Sequence, residues 1–171
     1  MTDTKFAIQL IAPTLCSPDE IKAFCAHVNS GEEVARLSPD WVLGHGVKLA
    51  FVRTGGALAA VGALKRPDQN YHQGCFRKAN IASRWSDYPI ELGWIYCDEA
   101  YRGGMSYKII DALTQGPEGG QSWYATVRTD NPAMLHPLGK RHFESAGTPY
   151  KSVEHPAAKI RLLLRAGGSS N

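Results

Sequence analysis

Residues 89–113 read PIELGWIYCDEAYRGGMSYKIIDAL, and this run decides the fold. Glu91 to Cys97 is apolar and strand-like. A polar stretch follows, then a tight Arg102-Gly103-Gly104 turn, then an amphipathic helix predicted over Gly103 to Gln115. Met105, Ile109, Ala112 and Leu113 share its apolar face. A strand that feeds a glycine turn at a helix start is a device for holding an anion. The first amides of a helix lack partners within it, and the helix dipole adds positive potential there. The first ligand class to consider is therefore a small molecule carrying a phosphate or pyrophosphate.

Upstream of this run, Lys5 to Ile11 reads as a strand and Ser17 to Asn29 as a helix. Ser17 is placed to cap it, Pro18 sits at its first position, and Ile21, Phe24, Cys25 and Val28 form its apolar stripe. Val47 to Arg53 and Ala57 to Leu64 read as a β-hairpin turning at Thr54-Gly55-Gly56. Lys65 to Asp87 is polar and reads as a loop-rich insertion, with Tyr71 to Ala79 as its helical candidate. Downstream, Gly116 to Gly120 stops the helix, and Ser122 to Arg128 is a strand whose Trp123 and Tyr124 point to opposite sides. Asp130 or Asn131 caps a short helix carrying Pro132 at its start and Pro137 inside, and Thr148 to Val153 and Lys159 to Leu164 close the chain as strands. Hairpins in one half and helical crossovers in the other argue for a mixed sheet with helices packed on it.

The chain has 171 residues, 43% hydrophobic and 20% charged, which suits one globular domain. We assign 1–166 to that domain and 167–171 (GGSSN) to a flexible tail. A net charge of +3 without a Lys/Arg run argues against a nucleic-acid partner. The cysteines at 16, 25, 75 and 97 form no CxxC pair and have no zinc spacing, so no metal is expected. No basic-then-apolar leader and no apolar run near ~20 residues is present, so the expectation is a cytoplasmic protein without a membrane partner.

Taken together, ELGWIYCDEAYRGGMS, the helix and strand after it, TDNPAM and KRHF resemble the GNAT N-acetyltransferase superfamily over most of Glu91 to Lys151. The resemblance implies an α/β (α+β) fold: a mixed, mostly antiparallel sheet with a splayed central strand pair, flanked by helices. It also implies acetyl-CoA as co-substrate. Family members hold its pyrophosphate on helix amides in an Arg/Gln-x-x-Gly-x-Gly/Ala loop. Here that assigns Arg102, Gly103, Gly104, Met105 and Ser106 to the cofactor. Counted from Arg102 the turn is one residue short, and Ser106 stands where Gly or Ala is common; its hydroxyl adds a donor. A plain strand-to-helix turn is the competing reading.

By the same resemblance, Trp94, Ile95, Tyr96 and Cys97 pair their backbone with the pantetheine arm. Asn131 matches an Asn that contacts the coenzyme, with a simple N-cap as the alternative. Glu91 matches a general base that takes a proton from the acceptor amine, with a surface ion pair as the alternative. The Tyr that protonates the departing thiolate in many members is Leu138 here, and the usual Gly before Phe143 is His142. Ser106, Tyr107, Tyr101 and His136 are the substitutes for the acid. Cys97 as an acyl carrier is set aside, since a cysteine in an apolar strand is a small packed hydrophobe.

The implied function is N-acetyl transfer from acetyl-CoA to a primary amine by direct attack in a ternary complex. The acceptor is a small-molecule amine or a protein or peptide amine, and a homodimer is left open. Two rivals stand beside it. One is a CoA-binding sensor or assembly module that has lost catalysis. The other, ranked lower, is a toxin that acetylates aminoacyl-tRNA.

Overall fold

The computed structural model describes residues 5–31 and 35–168. Its seven strands are β1 (Phe6–Ile11), β2 (Gly46–Thr54), β3 (Ala57–Lys65), β4 (Ile90–Cys97), β5 (Trp123–Arg128), β6 (Glu144–Lys151) and β7 (Lys159–Arg165). They form one sheet in the order β1-β2-β3-β4-β5-β7-β6. Every neighbouring pair is antiparallel except β4 and β5. The helices are α1 (Pro18–Asn29), α2 (Pro39–His45), α3 (Gln69–Lys78), α4 (Met105–Thr114) and α5 (Pro132–Lys140). This is the mixed, mostly antiparallel α/β sheet flanked by helices that the residue pattern implies.

Period-two alternation along the strands sorts the core onto the two faces of the sheet. On one face, Met105, Ile109, Ile110 and Leu113 of α4 and Leu138 of α5 pack on Ala60, Leu64, Ile90, Leu92 and Trp123. On the other, α1 covers β2 to β4 through Ile21, Phe24, Cys25 and Val28, joined by Val42 of α2. Further along that second face, Cys75 and Phe76 of α3 cover Tyr124, Leu162 and Leu164. The two helical groups on this face leave the first half of β4 between them.

Local chemistry explains the ends of α1 and α3. Ser17 and Glu20 form a reciprocal capping box: the Glu20 amide donates to Ser17 Oγ at 3.2 Å and the Ser17 amide to Glu20 Oε2 at 2.8 Å. Asp68 Oδ1 accepts from the amides of Asn70 and Tyr71 at 3.0 and 3.2 Å and so starts α3.

Four expectations need correction. The loop-rich insertion of Lys65 to Asp87 is mostly helical: Lys65 ends β3, α3 fills Gln69–Lys78, and a 3-10 turn spans Ala82–Asp87. The apolar stripe of α3 is His72, Cys75, Phe76 and Ala79, and a histidine at its head hides the helical period. Helix α2 has no counterpart in the sequence reading, because seven residues with Gly44 inside and Trp41 and Leu43 exposed carry no stripe. On α4 it is Ile110 rather than Ala112 that completes the buried face.

Strand β6 starts four residues before Thr148, because its register breaks around Gly147. Gly147 has φ +64°, and a side chain there would run into the Ala79 carbonyl. Of the tail assigned to 167–171, residues 169–171 lie outside the described residues. The Gly167 amide donates to Ser122 Oγ at 2.9 Å.

Candidate active site

The two halves of β4 have different neighbours. Its first half joins β5 in parallel through only two pairs, Ile90 with Trp123 and Glu91 with Tyr124. Past Glu91 the strands part, and from Leu92 to Cys97 the β5-facing edge of β4 has no strand partner among the described residues. Backbone N–H and C=O groups on such an edge are free to pair with an extended, amide-bearing ligand.

A bulge accompanies the divergence. On β3 the register steps from Val61 to Ala63 while on β4 it steps from Tyr96 to Gly93, so β4 carries one extra residue. Trp94 absorbs it with φ +50°, a conformation that bulky residues rarely adopt. Its indole goes to the α1 face, against Phe24 at 6.3 Å, while Ile95 packs on the α4 face. Gly62 on β3 faces the bulge. A Cβ there would lie 2.5 Å from Ile109 Cγ2, so its missing side chain lets α4 approach the split.

At the open end, the RGG turn leads into α4. Gly104 is the N-cap with φ +88°, Gly103 precedes it at φ +112°, and no side chain caps the helix. Nothing lies within 4 Å of where a Cβ would project from either glycine. The glycines thus serve the left-handed turn, and the space before the orphan amides of α4 is open. These features fit a pyrophosphate. With Gly104 as the cap, the loop pattern counts from Tyr101, placing Gly104 fourth and Ser106 sixth. Counted so, Tyr101 stands in place of Arg or Gln and Ser106 in place of Gly or Ala, whereas counted from Arg102 the turn is one residue short.

Several predicted ligand residues turn their side chains elsewhere. Met105 is buried in the core, so only its amide faces the turn. Ser106 Oγ donates to the Ala133 carbonyl of α5 at 3.4 Å, not into the anion site. Arg102 is exposed. Tyr96 packs edge-on to His27 at 6.1 Å. Cys97 is half-buried, its Sγ directed at the Asp98 carbonyl, and burial pushes its thiol up, which suits packing rather than acyl transfer. Asn131 Oδ1 accepts from the Met134 amide at 3.3 Å, the N-cap geometry.

Leu138 is fully buried, and His142 has φ +65°, which explains why a glycine suits that position. Among the substitute acids, Tyr107 and His136 meet edge-on at 6.0 Å on α4 and α5.

At the closed end sits Glu91, only 3% exposed. The surface ion pair weighed for it is replaced by a buried network. Tyr71 Oη donates to its Oε1 at 3.1 Å and Tyr124 Oη to its Oε2 at 3.1 Å. Lys65 Nζ lies 3.1 Å from Oε2. The ammonium also sits 4.8 Å over the Trp94 ring and 5.6 Å over the Tyr71 ring. An unpaired buried carboxylate costs several kcal/mol, and these three donors offset that cost. Burial, and then the Glu91 charge, hold the Tyr124 hydroxyl well above the usual phenol range, so it stays a proton donor. Burial likewise pushes up Tyr150 and the Cys75 thiol beside it.

Lys65 is the residue that sequence reasoning misses. Its signal was the strand register, since Lys65 lies opposite Glu91 on β3. Tyr71 was a candidate cleft wall and Tyr124 one of two alternating strand residues; both are now placed. Among the described residues no group of three His, Cys, Asp or Glu gathers to hold a metal ion, and no helix is long and apolar enough to cross a membrane.

A mixed sheet split at its one parallel pair, with a glycine-capped helix following the split strand, is the architecture of solved N-acyltransferase structures. More narrowly, it is the GNAT fold. An acyl-CoA N-acyltransferase from Pseudomonas aeruginosa superposes with a TM-score of 0.68 at 15% identity, covering 95% of this chain and 100% of that one. An N-acetyltransferase from Staphylococcus aureus Mu50 gives 0.64 at 12%, covering 95% and 98%. The yncA protein of Salmonella typhimurium, solved with its cofactor acetyl-CoA, gives 0.63 at 11%, covering 97% and 96%. No protein-family model matches the sequence, and no curated protein matches it.

Proposed function

We propose that the protein is an N-acetyltransferase of the GNAT type, which takes acetyl from acetyl-CoA and delivers it directly to a primary amine. One observation carries this reading. A single strand, β4, opens onto an uncapped, glycine-turned helix start at one end and holds a buried carboxylate at the other. Acetyl-CoA, as co-substrate, supplies an activated thioester carbonyl.

The chain's own residues divide the remaining work. The amides from Gly104 onward hold the pyrophosphate. The free edge of Trp94 to Cys97 aligns the pantetheine arm, which supplies positioning, a large part of the rate in such a complex. Glu91 accepts a proton from the acceptor amine, directly or through water. Tyr71 and Tyr124 fix the carboxylate without taking that proton, because as hydroxyls they donate. With Leu138 in the core, no α5 tyrosine serves the leaving thiolate. A thiol with an ordinary pKa of about 8.5 departs without strong acid assistance.

The second reading, a CoA-binding module without turnover, is favoured by the Glu91 network itself. The carboxylate already holds three donors, one of them an ammonium. A panel of amines with acetyl-CoA, read by release of free thiol, separates the two. Enzyme activity predicts turnover with at least one amine and its loss in Glu91→Gln, while CoA still raises the melting temperature of that variant. A rise in melting temperature with no turnover of any amine establishes the module. Absence of any CoA-induced rise overturns both.

A further inference from the structure

The closed end of β4 already contains a primary amine. Lys65 Nζ is 3.1 Å from Glu91 Oε2 and over the Trp94 ring at 4.8 Å. Its side chain lies along β4: a Cβ built on Gly93 would come 3.1 Å from Lys65 Cε and 3.5 Å from Nζ. The nitrogen thus lies over the face of β4 at Gly93, one residue before the bulge and within the stretch of β4 that β5 leaves unpaired. Only 12% of the side chain is exposed. A carboxylate to take the proton, two aromatic faces to hold a cation, and a nitrogen beside the open strand are the parts an acceptor site requires.

We propose that Lys65 is itself an acetyl acceptor, and that the protein acetylates this lysine in its own active site. The inference rests on the acetyl-CoA reading above. Glu91 takes one proton from the Lys65 ammonium. The neutral nitrogen forms a bond to the thioester carbonyl carbon, the carbon–sulfur bond breaks, and sulfur leaves with the bonding electrons. The second nitrogen proton goes to the sulfur, giving free CoA thiol and a neutral acetamide on Lys65, and the proton on Glu91 passes to water. The reaction limits itself to one event per chain, since the acetamide nitrogen, its lone pair delocalised into the carbonyl, is no longer a nucleophile. It also leaves that carboxylate without its cation, so acetylation retunes the site for any external amine.

The test incubates the folded full chain with acetyl-CoA and reads acetylation by intact mass and peptide mapping, with thermal shift by CoA measured in parallel. The exposed Lys22 and Lys140 serve as internal references. The expected result is a gain of one acetyl group, on Lys65, at a rate about 100-fold above either reference lysine, the scale of general-base assistance. Glu91→Gln should remove that advantage, and Lys65→Arg, which keeps the charge pair, should abolish the mass gain while keeping the CoA thermal shift. In urea, or with acetyl phosphate as donor, Lys65 should react no faster than the references.

Equal rates at all three lysines in folded protein that CoA stabilises overturn self-acetylation and leave the CoA-binding reading intact. A Lys65 preference that persists with acetyl phosphate also overturns it. Failure of both acetylation and thermal shift overturns it together with the parent reading.

Discussion

The two ends of β4 are built by opposite rules. At Glu91 the strand is paired on both sides, buried, and saturated: each carboxylate oxygen of Glu91 has a donor. From Trp94 to Cys97 it is paired on one side only, bent by a bulge, and left with a free edge. The closed half holds the charged group nearly buried, within a stretch of strand paired to both neighbours. The open half gives up strand pairing, and on the proposed reading an extended ligand would supply it. A single strand joins them, so the carboxylate and the ligand edge are held in fixed register.

The largest expected effect comes from breaking the closed half. Glu91→Ala strands a buried ammonium on Lys65 and two hydroxyls, and it should cost about 3–5 kcal/mol in urea unfolding. Glu91→Gln keeps an acceptor for one tyrosine and should cost clearly less. A Glu91→Ala loss below about 1 kcal/mol, the range of an exposed pair, would show that the network is not structural.

Next in size is overfilling the hinge between the halves. Gly62→Val forces methyls against Ile109, whose Cγ2 already leaves no room for a Cβ. The expected loss is about 1–3 kcal/mol, with the CoA thermal shift reduced because α4 is pushed from the split. Smaller still is Gly104→Ala at φ +88°. The left-handed conformation costs an alanine about 1–2 kcal/mol, and no atom clashes with the added methyl. The fold should survive. CoA at about a hundred times its Kd, which stabilises a binding-competent chain by about 2.7 kcal/mol, should protect this variant less. Full protection would mean that the turn does not hold the anion.

The open half is the more legible in sequence, and the reason is chemical. Its parts are local: a strand, two glycines and a helix, contiguous from Glu91 to Leu113. Backbone strain announces itself there, since Gly103 and Gly104 occupy positive φ. The bulge is silent by contrast, because nothing about Trp94 marks it for φ +50°. The closed half is assembled across the sheet. Lys65 meets Glu91 only because β3 runs antiparallel in that register, and Tyr71 arrives on α3, a helix whose stripe opens with a histidine. The mixed sheet with helices packed on it follows from hairpins and crossovers, which are local signals too. What sequence reading loses is the long-range polar network, where no periodicity points from one partner to the next.

That opening histidine supplies the smallest test of the contrast. His72 is 5% exposed, stacks on the Tyr124 ring at 4.8 Å, and leaves Nε2 without a protein partner. Burial lowers its pKa below the ordinary value near 6.5; the Glu91 charge and a hydrogen bond with the Tyr88 backbone pull the other way but do not win. With the folded pKa depressed, the unfolded chain binds the proton first. Stability should therefore be full above about pH 6.5 and fall as pH drops below it, levelling once the folded form is protonated as well. His72→Phe keeps a ring on Tyr124 and removes the titrating nitrogen, so its melting temperature should change less than the parent's between about pH 7 and 5. If the variant keeps the parent's slope, the acid sensitivity belongs to another group. If it flattens, the closed half of β4 carries a weak point directly behind the tyrosine that fixes Glu91.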